Sequence, residues 1–327
     1  MEQRTFSRLN RTVGVIGLGA WQLGADWGTV TEDDAMGVLS AAVEAGVTFL
    51  DTADVYGDGR SERLIGRFRA AHPDADLTVA TKMGRRVPQT PQAYTLTNFR
   101  AWTDRSRANL GMDTLDLVQL HCPPTAVFAD DAVFDALDTL VSDGAIAGYG
   151  VSVETCDQAL TAIARPGVAS VQIILNALRH KPLERVLPAA SAAGVGIIAR
   201  VPLASGLLSG RYDEHTTFAP DDHRTYNRAG EAFDVGETFS GVGFDLGLDA
   251  VRRLAPLVGD DRTMAQFALR WVVDQPGVTV VIPGARDAGQ ARRNADVAGQ
   301  PSLTAAQLDT VAKVYDELVR PQVHGRW

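Results

Sequence analysis

Short apolar runs alternate with longer helical patterns along the chain, and this alternation constrains the fold more than any other feature. Eight runs are dense in valine, isoleucine and leucine, as expected for strands buried on both faces of a sheet. They cover residues 13–18, 47–50, 77–81, 115–120, 146–151, 170–175, 196–200 and 278–282. Eight helical patterns cover residues 32–45, 61–70, 96–110, 130–142, 156–164, 183–193, 245–258 and 288–298. Eight strands and eight helices in alternation predict an α/β protein, a closed (β/α)8 TIM barrel.

A doubly wound open sheet is the alternative, and it usually carries a glycine-rich dinucleotide fingerprint near its first strand. The nearest match begins at Gly17 and Gly19, but the third glycine is missing. Trp21 stands where the backbone should approach a pyrophosphate. We therefore reject the open sheet. No composition shift marks a linker, so a single domain spanning residues 1–327 is expected.

Three segments exceed the eightfold unit. Residues 210–243, after the seventh strand, are glycine-rich, polar and aperiodic. A loop of that length in a compact domain is usually functional or disordered, so we expect a lid over the open face of the barrel. A helix is predicted at 263–273, packed outside the barrel before the last strand. Another is predicted at 304–318, as an extra C-terminal helix followed by Pro321.

Charge and composition exclude several classes of partner. The chain of 327 residues has a net charge of −9 and no basic cluster beyond short pairs such as Arg85–Arg86, so nucleic acid is not expected. No apolar run approaches membrane-spanning length, and the N-terminal residues form no signal-peptide core. The two cysteines, Cys122 and Cys156, make no disulfide framework. A cytoplasmic protein is expected, and a homo-oligomer is left open.

Polar side chains follow three consecutive predicted strands. Asp51, Lys82 and His121 come directly after apolar runs, and Tyr56 lies in the loop after Asp51. Each residue alone has an ordinary structural interpretation, as a turn residue, a packed ring or a satisfied strand-end histidine. Lys82 is the least ordinary, because lysine is almost never buried without a partner. Since the carboxyl ends of barrel strands surround one pocket, we expect all four to meet there.

Together these four residues form a proton-transfer set. Asp51 would neutralise Lys82, and the ammonium would lower the pKa of Tyr56 from about 10. His121 would hydrogen-bond the phenol or a substrate oxygen. A phenol of this kind gives a proton to a developing alkoxide, which leaves a hydride donor as the missing partner. No second carboxylate for glycosidase chemistry and no metal-ligand spacing is present in the sequence, so no metal is expected.

Two stretches indicate a binding site for phosphates. Residues 202–211 follow the seventh strand, and residues 283–286 follow the eighth and open a helix. Barrel enzymes frequently build phosphate sites from these two loops. Small residues let backbone amides approach phosphate oxygens, and arginine binds phosphate through two donors. Ordinary turn chemistry explains either stretch equally well when it is taken alone.

The motifs together resemble the aldo-keto reductases over nearly the whole chain, including the potassium-channel β subunits of that architecture. The carrying motifs are GLGAWQLG at 17–24, FLDTADVYGDGRSERLIG at 49–66, ATK at 80–82, LDLVQLHCP at 115–123, YGVS at 149–152, PLASGLLSGRY at 202–212 and IPGAR from 282, followed by Gln290 and Asn294. The second motif is the most specific, because it sets the aspartate, the tyrosine and the glycines at the family's spacing.

The resemblance implies a reductase of aldehydes or ketones that binds NADP(H) in preference to NAD(H). Tyr56 would be the proton donor, Lys82 would tune its pKa, Asp51 would pair with Lys82, and His121 would orient the substrate. The implied cofactor-binding residues are Trp21, Asp51, Ser152, Gln172, Arg200, Pro202, Leu203, Ser205, Gly206, Arg211, Gly284, Arg286, Gln290, Arg293 and Asn294. Of these, Ser152 and Gln172 match the positions that hold the nicotinamide carboxamide.

Three positions depart from the family's pattern. Val153 replaces an asparagine that usually follows the serine. Arg200 stands where an aromatic ring often stacks on the nicotinamide. Arg293 replaces a glutamate near the adenine, where a cation favours a 2′-phosphate or faces solvent.

Other functions remain open at this stage. A redox-sensing binding protein with slow turnover would share the architecture of the potassium-channel β subunits. A Schiff-base aldolase would use Lys82. Cys122 is a weaker nucleophile candidate, because strand alternation predicts that it faces away from His121. An apolar carbonyl substrate is expected, in a pocket lined by Trp21, Trp27, Tyr56, Trp102 and the 210–243 loop. For Trp102, packing within its helix is an equal alternative.

Overall fold

The computed structural model describes residues 1–24 and 30–327, and within them ten strands are present. The strands are β1 Gln3–Phe6, β2 Arg11–Gly14, β3 Leu18–Gly19, β4 Phe49–Asp51, β5 Thr78–Met83, β6 Leu117–His121, β7 Tyr149–Ser152, β8 Val168–Ile174, β9 Gly196–Arg200 and β10 Val278–Val281. Strands β3 to β10 pair in parallel with their neighbours in chain order. Bridges from Ile16 to Val281 and from Gly19 to Gly284 join the two ends of this sheet. The predicted (β/α)8 barrel is therefore confirmed.

Helices surround the barrel. They are α1 Glu32–Glu44, α2 Arg60–Ala71, α3 Leu96–Leu110, α4 Asp131–Ser142, α5 Cys156–Ile163, α6 Pro182–Ala193, α7 His223–Tyr226, α8 Phe244–Leu254, α9 Met264–Val273, α10 Ala288–Asp296, α11 Ala305–Val314 and α12 Arg320–Val323. Thr31 and Asp34 form a capping box at the start of α1, and Gly111 ends α3 in the left-handed conformation. The helix expected before the last strand is α9, and the extra C-terminal helix is α11. Among the described residues, no helix is both long and apolar enough to cross a membrane.

The prediction for the first strand is wrong in detail. Residues 13–18 do not form one strand, because β2 pairs antiparallel with β1 and only β3 joins the barrel. A continuous apolar run cannot reveal such a break. The missed strand β1 has one buried residue, Phe6, so its pattern carried little signal. The ring of Phe6 stacks on Phe49 at 5.6 Å between centroids, and the hairpin thereby covers the N-terminal end of the barrel.

The barrel interior is divided into an apolar layer and a polar layer. Phe49, Ala80, Leu117, Ile198 and Val280 form a fully buried cluster with Phe6 in the lower part. Side chains two residues apart on a strand share a face, and on four of these five strands the next inward residue toward the C-terminal end is polar; after Val280 it is Ile282. The four polar residues are Asp51, Lys82, Gln119 and Arg200, each buried. The apolar layer thus supports a polar floor beneath the open face.

The lid segment, residues 210–243, contains three short helices where the sequence shows no periodicity. They are α7 and two 3₁₀ helices, Val235–Glu237 and Phe239–Gly241. Capping side chains begin the first two: Asp222 accepts from the amide of Arg224, and Asp234 accepts from the amide of Gly236. The segment lies over the C-terminal ends of the strands, where it contributes Tyr226, Phe233 and Glu237 to a cavity wall.

Candidate active site

A cavity of about 770 Å³ opens at the C-terminal ends of the barrel strands. Its volume lies in the range of small-molecule and cofactor sites. Three of the four residues of the proton-transfer set, Asp51, Tyr56 and His121, line it, and Lys82 lies directly behind Tyr56. The residues of the implied cofactor set all line the same cavity, namely Trp21, Asp51, Ser152, Gln172, Arg200, Pro202, Leu203, Ser205, Gly206, Arg211, Gly284, Arg286, Gln290, Arg293 and Asn294.

Lys82 connects the acid and the phenol. Its Nζ donates to Asp51 Oδ1 at 2.5 Å, to the carbonyl of Thr52 at 2.9 Å and to the Tyr56 hydroxyl at 3.3 Å. Burial alone would lower the pKa of Lys82, but the Asp51 carboxylate and the Tyr56 oxygen raise it above its usual value. Lys82 is therefore an ammonium ion held against the phenol.

The pKa of Tyr56 differs from the sequence-based expectation. Burial raises it, the Lys82 ammonium lowers it, and the Asp51 carboxylate raises it again, so the net shift is upward from 10.0. We expected the ammonium to dominate; burial outweighs it because the phenolate would lose its hydration. The phenol consequently holds its proton at neutral pH, and Lys82 favours the charged form once the proton has left.

His121 completes the group in the neutral state. Its ring meets the Tyr56 ring edge to face, with centroids 6.0 Å apart. Burial lowers the pKa of His121 well below 6.5, and the positive charges of Arg85, Lys82 and Arg200 lower it further. Nδ1 of His121 is buried without a hydrogen-bond partner among the described residues. A neutral imidazole of this kind accepts or donates a hydrogen bond without adding a charge.

The second oxygen of Asp51 holds two amides. Gln172 Nε2 donates to Asp51 Oδ2 at 2.7 Å, and Gln119 Nε2 donates to the same oxygen at 3.2 Å. Gln172, implied as a carboxamide ligand, is thus engaged with Asp51 and Gln119. Sequence reasoning missed Gln119, although it precedes His121 by two residues and therefore shares its inward face.

Cys122 lies beside Ser152 and Arg200, and it is not among the residues that line the cavity, so its orientation away from His121 stays a prediction. Its Sγ lies 3.2 Å from Ser152 Oγ, because Cys122 follows the end of β6 in the left-handed region with φ of 47°. Strand alternation does not continue through such a residue. Burial raises the pKa of the Cys122 thiol to about 12, so the group is not a thiolate at neutral pH.

Arg200 lies at the centre of a charged cluster that the sequence did not predict. Its guanidinium donates to Glu237, to Glu154 Oε2 at 3.1 Å and to the carbonyl of Val153 at 3.0 Å. Glu237 belongs to the aperiodic lid segment, where no pattern could have indicated it. Among the described residues, Cys122, Glu154 and Glu237 form a group of possible metal ligands, because one sulfur or carboxylate oxygen atom of each lies within 4.8 Å of the others. Arg200 already bonds both carboxylates of that group and supplies its positive charge.

The stretch after β9 is shaped by unusual backbone conformations. Ser205 and Gly206 have φ of 54° and 94° within the turn Ala204–Ser209. Ser205 Oγ donates to the carbonyl of Glu237 at 2.8 Å and accepts from the amide of Phe239 at 3.1 Å. Ser205 therefore fastens this turn to the lid segment, a role that the sequence did not indicate.

The stretch after β10 is held by the first turns of α10. Gln290 Oε1 accepts from the backbone amide of Arg286 at 2.9 Å, and Asn294 Nδ2 donates to the carbonyl of Gly284 at 3.1 Å. A Cβ at Gly284 would lie 2.1 Å from the side-chain amide of Gln22, so any larger residue there would require the Gln22 side chain to move. Arg286, Arg293 and Arg211 all line this part of the cavity, which gives it a positive character.

Aromatic side chains form another part of the cavity wall. Trp21 stacks on Tyr56 with centroids 6.1 Å apart, and Phe233 meets Trp21 edge-on at 6.1 Å. Of the two expectations for Trp102, helix packing is confirmed: it lies in α3, packs against Phe99 at 5.9 Å between ring centroids and does not line the cavity. Its ring faces the barrel flank because α3 packs outside the strands. Trp27, also expected in the pocket, lies outside the described residues.

Comparison with known proteins agrees with this geometry. Residues 15–316 match the sequence model of the Aldo/keto reductase family. The chain is 30% identical to an uncharacterized oxidoreductase of Mycobacterium tuberculosis over 339 residues, which cover 96% of this chain and 93% of the relative. It is 25% identical to a "probable voltage-gated potassium channel subunit beta" of Arabidopsis thaliana, with 96% of each chain covered.

A solved structure shares the architecture. The glycerol dehydrogenase of Gluconobacter oxydans superposes with a TM-score of 0.78 at 28% sequence identity. The match covers 98% of this chain and 96% of that one. The likeness thus extends over the hairpin, the barrel and the C-terminal helices alike.

Proposed function

The chain belongs to the aldo/keto reductase family and is an oxidoreductase, and from that premise we propose that it reduces an aldehyde or ketone to an alcohol with NADPH, using Tyr56 as proton donor. The observation that carries the proposal is the contact between the Tyr56 hydroxyl and Lys82 Nζ, with Lys82 held in turn by Asp51. We further propose that residues 1–327 act as a single domain.

The residues of the site divide the proton-transfer work among them. A bound reduced nicotinamide supplies the hydride for the carbonyl carbon. Tyr56 gives its proton to the carbonyl oxygen as negative charge develops there, and its raised pKa keeps that proton available. Lys82 stabilises the phenolate that remains, and Asp51 keeps Lys82 in place. His121, being neutral, orients the oxygen by a hydrogen bond.

The cavity fits a dinucleotide phosphate along its length. Ser152, Gln172 and Arg200 would hold the nicotinamide end, and Arg200 Nε is a buried donor without an acceptor among the described residues. The remaining residues would hold the phosphates and the adenosine: Pro202, Leu203, Ser205, Gly206, Arg211, Gly284, Arg286, Gln290, Arg293 and Asn294. Arginines suit phosphate through paired donors, which favours NADP(H) over NAD(H).

A nucleotide-binding regulatory protein with slow turnover is the second candidate, and the similarity to the Arabidopsis channel subunit favours it. The complete contact series from Asp51 through Lys82 to Tyr56 argues for turnover instead. A Schiff-base aldolase is disfavoured, because the raised pKa of Lys82 keeps its amine protonated and unreactive toward carbonyls.

Substitution Tyr56→Phe tests the mechanism. Loss of a general acid typically costs 10²–10⁴-fold in rate, so we expect a fall of roughly that size in kcat for aldehyde reduction, with NADPH still bound. Tyr149→Phe is the matched control, because the Tyr149 hydroxyl bonds Asp138 and the residue does not line the cavity. Reduction by the Tyr56 variant at the wild-type rate would overturn the mechanism. Binding of NADPH by the wild type without its oxidation across a carbonyl panel would support the regulatory protein.

A further inference from the structure

Glu237 joins the lid segment to the barrel through a buried ion pair. Its carboxylate accepts from the guanidinium of Arg200, the last residue of β9. The Arg200 side chain is 8% exposed and the Glu237 side chain 12%, so solvent screens the pair weakly. Ser205 bonds the Glu237 carbonyl as well. The carboxylate is therefore held in place from both its side chain and its backbone.

The charges around this pair alternate and cancel. Glu154 contacts Arg200 at 3.1 Å and Arg85 at 3.6 Å. Two carboxylates and two guanidinium groups form a row in the order Arg85, Glu154, Arg200, Glu237. Cys122 beside them is held as a neutral thiol by its raised pKa. This wall of the cavity therefore has a net charge of zero, and removal of Glu237 alone would leave it at +1.

The row acts on the reacting groups. The negative charge of Glu237 contributes to the raised pKa of Tyr56, and the positive charge of Arg200 contributes to the lowered pKa of His121. A hydride donor must touch the carbonyl that Tyr56 protonates, so the nicotinamide has to lie beside these residues. Its ring is neutral when reduced and carries a positive charge when oxidised. A neighbouring charge therefore distinguishes the two forms.

We infer that Glu237 balances the charge of Arg200 so that the site accepts both the neutral reduced ring and the cationic oxidised ring of the cofactor. The inference rests on the proposed function. In this role Glu237 is a positioning residue: it acts through Arg200 and contributes no proton to the reaction. Without it, Arg200 repels the oxidised ring and leaves the reduced ring nearly unaffected.

Substitution Glu237→Gln tests the inference. The dissociation constants of NADPH and NADP⁺ are measured separately for the variant and the wild type, by titration calorimetry at low salt. In a partly buried site, an unbalanced unit charge a few ångströms from the nicotinamide ring interacts strongly with a cationic ring. We therefore expect the variant to weaken the binding of NADP⁺ roughly tenfold more than the binding of NADPH. Glu237→Asp keeps the charge and should keep the wild-type ratio. Glu231→Gln removes a charge from an exposed position of the same lid segment and should leave the ratio unchanged.

Arg200→Gln provides a second variant whose expected result has the opposite sign. It leaves the carboxylates in excess, so NADP⁺ should gain affinity relative to NADPH. A purely structural latch would not reverse sign between the two substitutions. Equal weakening of both cofactor forms in both variants would overturn the inference while leaving the proposed function intact. If the wild-type protein bound neither form, the proposed function would fail and this inference would fail with it.

Discussion

The Nζ atom of Lys82 lies 2.5 Å from Oδ1 of Asp51, and the two side chains are 1% and 4% exposed. At this depth neither charge would be tolerated alone, because desolvation of a single ion costs several kcal/mol. The other carboxylate oxygen is satisfied by Gln172 and Gln119, and the ammonium by Thr52. The pair is thus both a structural unit of the polar floor and the support of the proposed acid.

Removal of one partner should therefore destabilise the fold more than removal of both. Lys82→Met leaves the Asp51 carboxylate buried without its cation, which typically costs about 3–5 kcal/mol. The double variant Asp51→Asn with Lys82→Met should recover most of this loss, since no charge remains buried. Urea unfolding at pH 7 measures the free energies of unfolding of Asp51→Asn, Lys82→Met and the double variant, each relative to the wild type. Additive losses in the double variant would contradict the buried pair.

Asp54 makes stability depend on pH. The side chain is fully buried, and neither of its oxygens has a hydrogen-bond partner among the described residues. Burial and the nearby Glu62 raise the pKa of Asp54 to about 7, although Arg86 and Arg105 act in the opposite direction. Because the folded-state pKa lies above the unfolded value, stability is fully present at acidic pH and is lost as pH rises from about 4 through 7.

Asp54→Asn should remove this dependence. The amide stays neutral, so the variant should be more stable than the wild type at pH 8 and about equally stable at pH 4. A shift of roughly three pKa units sets an upper limit of about 4 kcal/mol on this gain in the free energy of unfolding. Urea midpoints at the two pH values provide the measurement. Asp309→Asn, at an exposed site on α11, is the control. A gain of the same size at both pH values would exclude titration of Asp54 as the cause.

Trp327 braces the lid segment. Its indole lies 3.6 Å from the guanidinium carbon of Arg179, and its Nε1 donates to Asp234 Oδ1 at 3.0 Å. A Cβ at Gly241 would lie 2.2 Å from the indole ring, so the ring fills the space beside that glycine. Asp234 caps the short helix that carries Glu237. Trp327 therefore holds the part of the lid that reaches the cavity.

Loss of the Trp327 contacts should loosen the lid segment without affecting Tyr56, the proposed proton donor. Trp327→Phe removes a hydrogen bond to a charged group, about 1.5–3 kcal/mol, and Trp327→Ala removes the packing as well. We expect faster proteolysis within residues 210–243 and a higher KM for the carbonyl substrate, more so for alanine than for phenylalanine. Lys313→Ala, at an exposed position of α11, is the control. Unchanged proteolysis in the alanine variant would contradict the brace.

The sequence predicts the barrel well because its strands are buried on both faces. Hydrophobic periodicity then locates the elements, and polar residues at strand ends such as Asp51 and His121 locate the cavity. The hairpin formed by β1 and β2 escaped prediction, since β1 has a single buried residue and the run after it crosses an element boundary. The periodicity of apolar residues indicates which residues are buried, but it does not indicate where a strand ends and the next one pairs with a different partner.

The charged cluster escaped prediction for a different reason. Glu237 lies in a segment without periodicity, and its pairing with Arg200 spans 37 positions. The left-handed backbone of Cys122, with φ of 47°, is not indicated by the sequence HCPP. The pKa of Tyr56 depends on how much water the fold removes from the phenol, which spacing cannot reveal. Such features become visible only in three dimensions.

The β1–β2 hairpin beneath the barrel restricts the routes by which ligands and protons reach the cavity. Phe6 and Phe49 lie in a fully buried layer beneath the polar floor, so within the described part of the chain the cavity has a blind end. In the proposed mechanism, whatever restores the proton of Tyr56 after a turnover has to arrive by the mouth that admits the ligands. The ligand that leaves and the ligand that enters then have to use the same opening of the cavity, one after the other, and the side chains of the lid segment lie beside that opening.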